Sequence, residues 1–160
     1  MSIEIRKIEK KDRKAFVELS LALTKFNKKQ HDKHYKNFQE ILEVRKQRVE
    51  ERFDKIDKSS HLAIFMAFID NKPIGYIRAF TYDNKLHCGC LDELYLTSEA
   101  RGQGVGKKLL NAVTHWMTEK KVVRVTVSVY SWNASAKKFY EEEGFTEYAT
   151  SYEKTIPKKK

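Results

Sequence analysis

The residues with the clearest chemical promise are the run Arg101-Gly102-Gln103-Gly104-Val105-Gly106. Glycine lacks a Cβ, so a ligand can come close to the main chain at these positions. The run lies between a β-like stretch at 87–96 and a stretch at 104–120 whose Val105, Leu109, Val113 and Trp116 share a helical face. A strand, a glycine-rich turn and a helix start aim unpaired N–H groups and the positive end of the helix dipole at one spot, which suits phosphate. Spacing separates the loops built this way. A Walker A loop needs Gly where Arg101 stands and Ser or Thr where Lys108 stands, and a dinucleotide fingerprint needs its third Gly where Lys107 stands, so both patterns fail. A glycine-rich turn with no ligand is the plain alternative, but glycines opening a helix weaken it unless something else is gained.

The pattern that remains, Arg-x-x-Gly-x-Gly after a strand, resembles the pyrophosphate loop of the GNAT acetyltransferases, with Arg101, Gly104 and Gly106 at its fixed positions. A second run, WNASAKKFYEEEGF at 132–145, is similar to another segment of that family through Asn133, Ala136, Phe139, Tyr140, Gly144 and Phe145. Read by themselves, Asn133 is a good helix N-cap, Gly144 a helix stop, and Phe139 and Phe145 core residues. Tyr140 is adjacent to Phe139 and points ~100° away from it on a helix, so the two need not both enter the core. Within the family the spelling LDELYLTSEARGQGVG followed by WNASAKKFY looks most like diamine and thialysine N-acetyltransferases.

The resemblance implies transfer of an acetyl group from acetyl-coenzyme A to a primary amine by direct attack, with no metal. It places Leu94, Tyr95, Leu96, Arg101, Gly102, Gln103, Gly104, Val105, Gly106, Lys107, Asn133, Ala136 and Tyr140 against the cosubstrate, with the Leu94 N–H as oxyanion donor. An amine of pKa ~10.4 is neutral in about one molecule in 2,500 at pH 7, a cost of about 4.6 kcal/mol at the attacking nitrogen. The site must therefore take a proton away, and Asp92 and Glu93, just before the loop, are the natural candidates. In a regular strand the two point to opposite faces, but the family carries a bulge here. Asp92 is slightly preferred as base or amine anchor, and a structural or solvent-facing role stays open for each. The family's matching tyrosine makes Tyr140 the acid that protonates the thiolate leaving group, against the alternative of a packed tyrosine with a satisfied hydroxyl. Phe26, His31, His34, Tyr35 and Asp92 are candidate acceptor contacts.

The elements that must position these residues follow from periodicity. A strand is predicted at 3–8, and a helix at 13–26 with Asp12 as its N-cap and Phe16, Leu19, Leu23 and Phe26 on one face. A polar loop at 27–34 and, from Tyr35, a second helix or two broken ones to about 57 come next. Strands at 61–69 and 74–82 flank Asp70-Asn71-Lys72-Pro73 as a hairpin. After the turn at Asp83-Asn84-Lys85 come the strand 87–96, the helix 104–120, a strand at 124–130, a helix at 133–143 and a last strand over Thr146–Lys154. The order β-α-α-β-β-β-α-β-α-β implies an α/β fold with a mixed sheet and helices on both faces, the GNAT acyltransferase fold by resemblance. One domain is expected over 1–160, with acceptor-side elements at 1–60, an acetyl-coenzyme A-binding core at 61–155 and a basic tail at 156–160.

Composition excludes other classes. The longest apolar run, 62–69, is far short of the ~20 residues of a spanning helix, and no signal-peptide core opens the chain, so the cytoplasm is the expected compartment. Cys88 and Cys90 are too close for an easy disulfide, and with His87 they lack a second pair at zinc-ligand spacing. His31, His34, His61, His87 and His115 each read more readily as surface or packing residues. The net charge of +10 attracts polyanions, among them a polyphosphate cosubstrate. Nucleic acid is the lesser alternative, since aromatics are not interleaved with the basic runs. A non-catalytic coenzyme A-binding or regulatory module is the other. The same charge weakly disfavours a polycationic acceptor unless acids cluster locally. Dimerisation is common in the family, so a homodimer is left open.

Overall fold

The computed structural model describes residues 2–30, 37–82 and 87–154. β1 (Ile3–Lys7) leads through a 3-10 turn into α1 (Arg13–Gln30) and α2 (Phe38–Phe53). β2 (Leu62–Ile69), β3 (Lys72–Thr81), β4 (Cys88–Leu96), α3 (Val105–Glu119), β5 (Arg124–Val127) and α4 (Ala134–Glu142) follow. The strands form a single five-stranded sheet in chain order, antiparallel from β1 to β4, with β5 parallel to β4. A parallel neighbour requires a crossover, and α3 provides it. The chain groups into two compact units, residues 1–128 with the whole sheet and α1 to α3, and residues 129–160 with α4.

Local chemistry explains the hairpin at the sheet's centre. Asp70 (φ 48°) and Asn71 (φ 66°) both adopt the left-handed conformation of a two-residue turn that matches strand twist. Ile64, Met66 and Phe68 alternate along β2 and share one face, which they bury with Tyr76 against Phe16 of α1 and Val49 and Phe53 of α2. The Phe16 ring meets the Tyr76 ring edge-on at 5.1 Å. α3 packs against the other face through buried Val105, Leu109, Val113 and Met117. Gly89 makes room for it, because a Cβ there would lie 2.9 Å from the Met117 methyl.

The structure departs from the sequence reading in four places. α1 continues through Gln30, since Asn27, Lys28, Lys29 and Gln30 contain no helix breaker. Asp12 is not the cap of α1. It closes the 3-10 turn before it, accepting the Glu9 N–H at 2.8 Å and two Arg6 N–H bonds at 2.6 and 2.9 Å. β5 ends at Val127 instead of running to Tyr130. The last strand expected at Thr146–Lys154 is not formed: these residues are exposed throughout and have no ladder partner among the described residues. The alternating Thr146, Tyr148, Thr150 and Tyr152 supply β propensity, but propensity without a neighbouring strand leaves the backbone to water.

Candidate active site

The site is built around the second half of β4. This strand pairs with β5 only over Cys88–Leu91, and beyond Leu91 it continues with β3 alone. The hydrogen-bond phase tells which groups the split exposes. Thr97 donates to the Ile74 carbonyl at 2.9 Å, which makes Ile74 and Thr97 a bonded pair. Bonded pairs alternate along an antiparallel ladder, so Glu93 and Tyr95 also direct their main-chain groups at β3. Leu94 and Leu96 therefore turn their N–H and C=O groups toward the side that β5 has left.

Asp92 is the extra residue of a bulge in β4, because the register passes from Arg78 opposite Glu93 to Ala79 opposite Leu91. The bulge cancels the alternation that would send two neighbouring acids to opposite faces. Both carboxylates accept from the same guanidinium nitrogen, Arg78 Nη2, that of Glu93 at 3.0 Å. Glu93 is bound further by Arg45 of α2 and by the Tyr76 hydroxyl at 2.7 Å, and Arg45 also donates to the Ser20 hydroxyl at 2.8 Å. The Glu93 side chain is 10% exposed and that of Asp92 39%. Burial alone would raise the Glu93 carboxyl, but Arg78 and Arg45 with the Tyr76 hydroxyl together outweigh it and hold it below the ordinary range. The Tyr76 phenol is pushed well up by burial and by the Glu93 charge. Glu93 is thus a fixed anion, and Asp92 is the acid that solvent reaches. Arg45, Arg78, Tyr76 and Ser20 escaped the sequence reading. Once a bulge is granted, the β3–β4 register alone puts Arg78 opposite Glu93, whereas nothing in the spacing links Arg45 to an acid 48 residues away.

The glycine loop follows β4. Gly102 (φ 74°) and Gly104 (φ 72°) are both left-handed, and nothing lies within 4 Å of where a Cβ would sit on either. Backbone conformation, not crowding, requires glycine here. Gly104 is the N-cap of α3, and Val105 and Gly106 are buried in its first turn. The first helical bond runs from the Lys108 N–H to the Gly104 carbonyl at 3.1 Å. Among the described residues, the amides from Gly102 to Gly106 donate to no main-chain acceptor. They form the unsatisfied head of a helix, open to an anion. Arg101 straps this loop down. Its Nε donates to the Leu96 carbonyl at 3.2 Å and its guanidinium lies 4.8 Å over the Phe26 ring. The Gln103 side-chain amide donates to the Glu99 carbonyl. The Lys107 side chain is exposed, and Tyr95 packs its ring on the core under α1 and α2.

In the second unit Asn133 caps α4, accepting the Ala136 N–H at 3.1 Å. The helix closes as expected at Gly144 (φ 86°), with Phe145 N–H bonded to the Tyr140 carbonyl at 2.9 Å and Gly144 N–H to the Glu141 carbonyl at 3.1 Å. The burial order is reversed. Tyr140 is the buried ring, and Phe139 and Phe145, expected in the core, are half-buried. The chain reversal at Gly144 brings the Phe145 ring back to 5.3 Å from Tyr140, while Phe139 lies at 5.1 Å, so Tyr140 is flanked by both. His31, His34 and Tyr35 lie outside the described residues. Among the described residues no three His, Cys, Asp or Glu side chains are grouped to hold a metal, neither Cys88 nor Cys90 is in a disulfide, and no helix is long and apolar enough to cross a membrane.

This arrangement has parallels among known proteins. An N-acetyltransferase of Archaeoglobus fulgidus, itself uncharacterized, is 23% identical over 142 residues, which cover 86% of this chain and 89% of the relative. The PaiA N-acetyltransferase of Thermoplasma acidophilum, solved with coenzyme A, superposes with a TM-score of 0.78 at 24% identity over 94% of each chain. The aminoglycoside acetyltransferase AAC(6')-Iy, solved with a coenzyme A bisubstrate analogue, has a TM-score of 0.70 at 22% identity over 98% of this chain and 100% of that one. At such identities these structures establish the fold. The model of the acetyltransferase (GNAT) family matches residues 25–145, a span that takes in α2, the whole β4 bulge, the glycine loop and α4, and on that match the chain belongs to the GNAT family.

Proposed function

We propose that the protein is an acetyl-coenzyme A-dependent N-acetyltransferase that passes the acetyl group to a primary amine by direct attack, with both substrates bound together. One observation carries this reading: a run of unengaged main-chain amides at the head of α3, beside the edge of β4 that β5 leaves open. A diphosphate fits the amides of Gly102–Gly106, with Lys107 next to them, since no side chain crowds Gly102 or Gly104 and the helix dipole favours the charge. An amide-bearing arm fits the edge groups of Leu94 and Leu96 as a strand would, and the Leu94 N–H is the donor assigned to the developing oxyanion. Arg101 serves through its hold on the loop. Tyr95 and Val105 anchor the two segments in the core. The family resemblance assigns Asn133, Ala136 and Tyr140 of the second unit to the cosubstrate as well, with Tyr140 as the acid for the departing thiolate.

The amine loses its proton to Asp92, directly or through water. Glu93 is the weaker candidate, because two guanidiniums and a phenol already occupy its carboxylate. Phe26 and the segment holding His31, His34 and Tyr35 would border the acceptor. The diamine or thialysine-type acceptor, the homodimer and the cytoplasmic setting belong to the same reading. Two cysteines outside any disulfide suit a reducing compartment, and analytical ultracentrifugation tests the dimer.

The test is a thiol-release assay on acetyl-coenzyme A over polyamines, amino acids, aminoglycosides and peptides. Amine-dependent release is expected. Coenzyme A binding without release for any amine would leave a non-catalytic module instead.

A further inference from the structure

Asp92 is the acid assigned to the amine, yet the sheet does little to hold it. It is the extra residue of the β4 bulge, so β3 gives it no ladder partner, and β5 stops pairing at Leu91. Its side chain is 39% exposed. Among the described residues its side-chain hydrogen bond comes from Arg78 Nη2 to Oδ2, which leaves Oδ1 for an incoming group. Arg78 is placed differently. It lies within β3, opposite Ile64 of β2 and Glu93 of β4, and its side chain is only 5% exposed. The same Nη2 donates to Glu93 Oε1 at 3.0 Å. Glu93 is gripped in turn by Arg45 and by the Tyr76 hydroxyl at 2.7 Å, and Arg45 reaches the Ser20 hydroxyl at 2.8 Å. The fixed end of this chain of contacts is buried among α1, α2 and β3, and its outer end is Asp92. A base must come within about 2.6–3.2 Å of the nitrogen it deprotonates, and about 1 Å of misplacement can cost 10²-fold. A half-exposed carboxylate on an unpaired residue does not meet that demand alone. Bound to a buried cation that is itself locked, it does.

We propose that Arg78 is a positioning residue for the transfer: locked by Glu93, it holds Asp92 Oδ2 so that Oδ1 takes the ammonium proton, directly or through water, while the electron pair stays on the nitrogen. Arg78 acts through Asp92 alone, and Glu93 contributes as the anchor of Arg78. This rests on the acetyltransferase reading with Asp92 as its base. One nitrogen serves both carboxylates, and the buried Nε has no acceptor, so the guanidinium works here as a point charge without its fork geometry. A lysine at this position carries the same charge on a stem one bond shorter and should replace Arg78 in part.

The experiment measures kcat and both KM values by thiol release, with the panel amine that the wild type uses fastest. The variants are Arg78→Met, Arg78→Lys, Asp92→Asn and the double variant Arg78→Met/Asp92→Asn, with folding verified by circular dichroism and coenzyme A affinity. Arg78→Met should lower kcat about tenfold or more and leave coenzyme A affinity within about twofold. Arg78→Lys should recover at least about threefold of that loss. In the Asp92→Asn background, Arg78→Met should change kcat by less than about twofold, since a residue that acts through Asp92 has nothing left to position. Should Arg78→Met not fold, Arg78→Met/Glu93→Gln removes one buried charge of each sign and enters the same comparison. Wild-type kcat in Arg78→Met would overturn the inference and leave the acetyltransferase reading intact. So would an Arg78→Lys variant no better than Arg78→Met, or losses that multiply in the double variant, the mark of a merely structural arginine. Wild-type kcat in Asp92→Asn would remove Asp92 as the base and this inference with it. A wild type that releases no thiol with any amine would remove the acetyltransferase reading itself.

Discussion

Gly104 takes a left-handed φ of 72° in open space, so any side chain there is opposed by the backbone and not by a neighbour. Gly104→Val should therefore cost the fold only about 1–2 kcal/mol, the price of the left-handed conformation. It should weaken coenzyme A binding by about tenfold or more, since relaxing φ turns the amides off their common target. Calorimetry beside thermal melts separates the two effects. Tyr140→Phe keeps the ring between Phe139 and Phe145 and removes only the hydroxyl. Turnover should fall by about 10²-fold or more, within the range of general acid catalysis, with coenzyme A affinity little changed. Unaltered turnover would take Tyr140 out of the mechanism. At this scale much was legible. Glycines at alternate positions and a capped, glycine-stopped helix are local signals, and both fall where the sequence puts them. Tyr140 was not legible as the buried ring, because the reversal at Gly144 that folds Phe145 back against it is a three-dimensional consequence of one φ angle.

Between elements, the β4 bulge turns two adjacent acids onto one arginine. Glu93 is held below its unfolded value of ~4.3, so its stabilising contribution is complete above that pH and is lost as pH falls through the folded value. Wild-type melting temperature should drop more steeply below about pH 4.3 than that of Glu93→Gln, and parallel curves would show that Glu93 is not a buried anion. Glu93→Ala at neutral pH leaves Arg45 and Arg78 without their shared counter-ion and should cost about 3 kcal/mol or more, read by urea unfolding. Strand and helix identities could be read from period, and the order of the elements with them. The ends could not. α1 outruns its apolar stripe because polar residues also favour helix, and Thr146–Lys154 has the alternation of a strand but no partner. The Arg45–Glu93 contact joins α2 to β4 across 48 residues, and no local pattern encodes such a pairing.

Across the whole molecule a net charge of +10 surrounds a proposed site for a polyphosphate ligand. Coenzyme A should bind faster and more tightly at low ionic strength, with affinity falling steadily as salt shortens the Debye length from ~30 Å at 0.01 M to ~10 Å at 0.1 M. An affinity indifferent to salt would mean that the charge serves solubility alone. The claim beneath all of this is that the main chain from Gly102 to Lys107 grips the diphosphate, and amide NMR reports on those N–H groups directly. Titrating the labelled protein with coenzyme A should shift the amides of Gly102, Gly104, Val105 and Gly106 most, together with Leu94 and Leu96. Saturable binding that leaves these amides unmoved while others shift would contradict it.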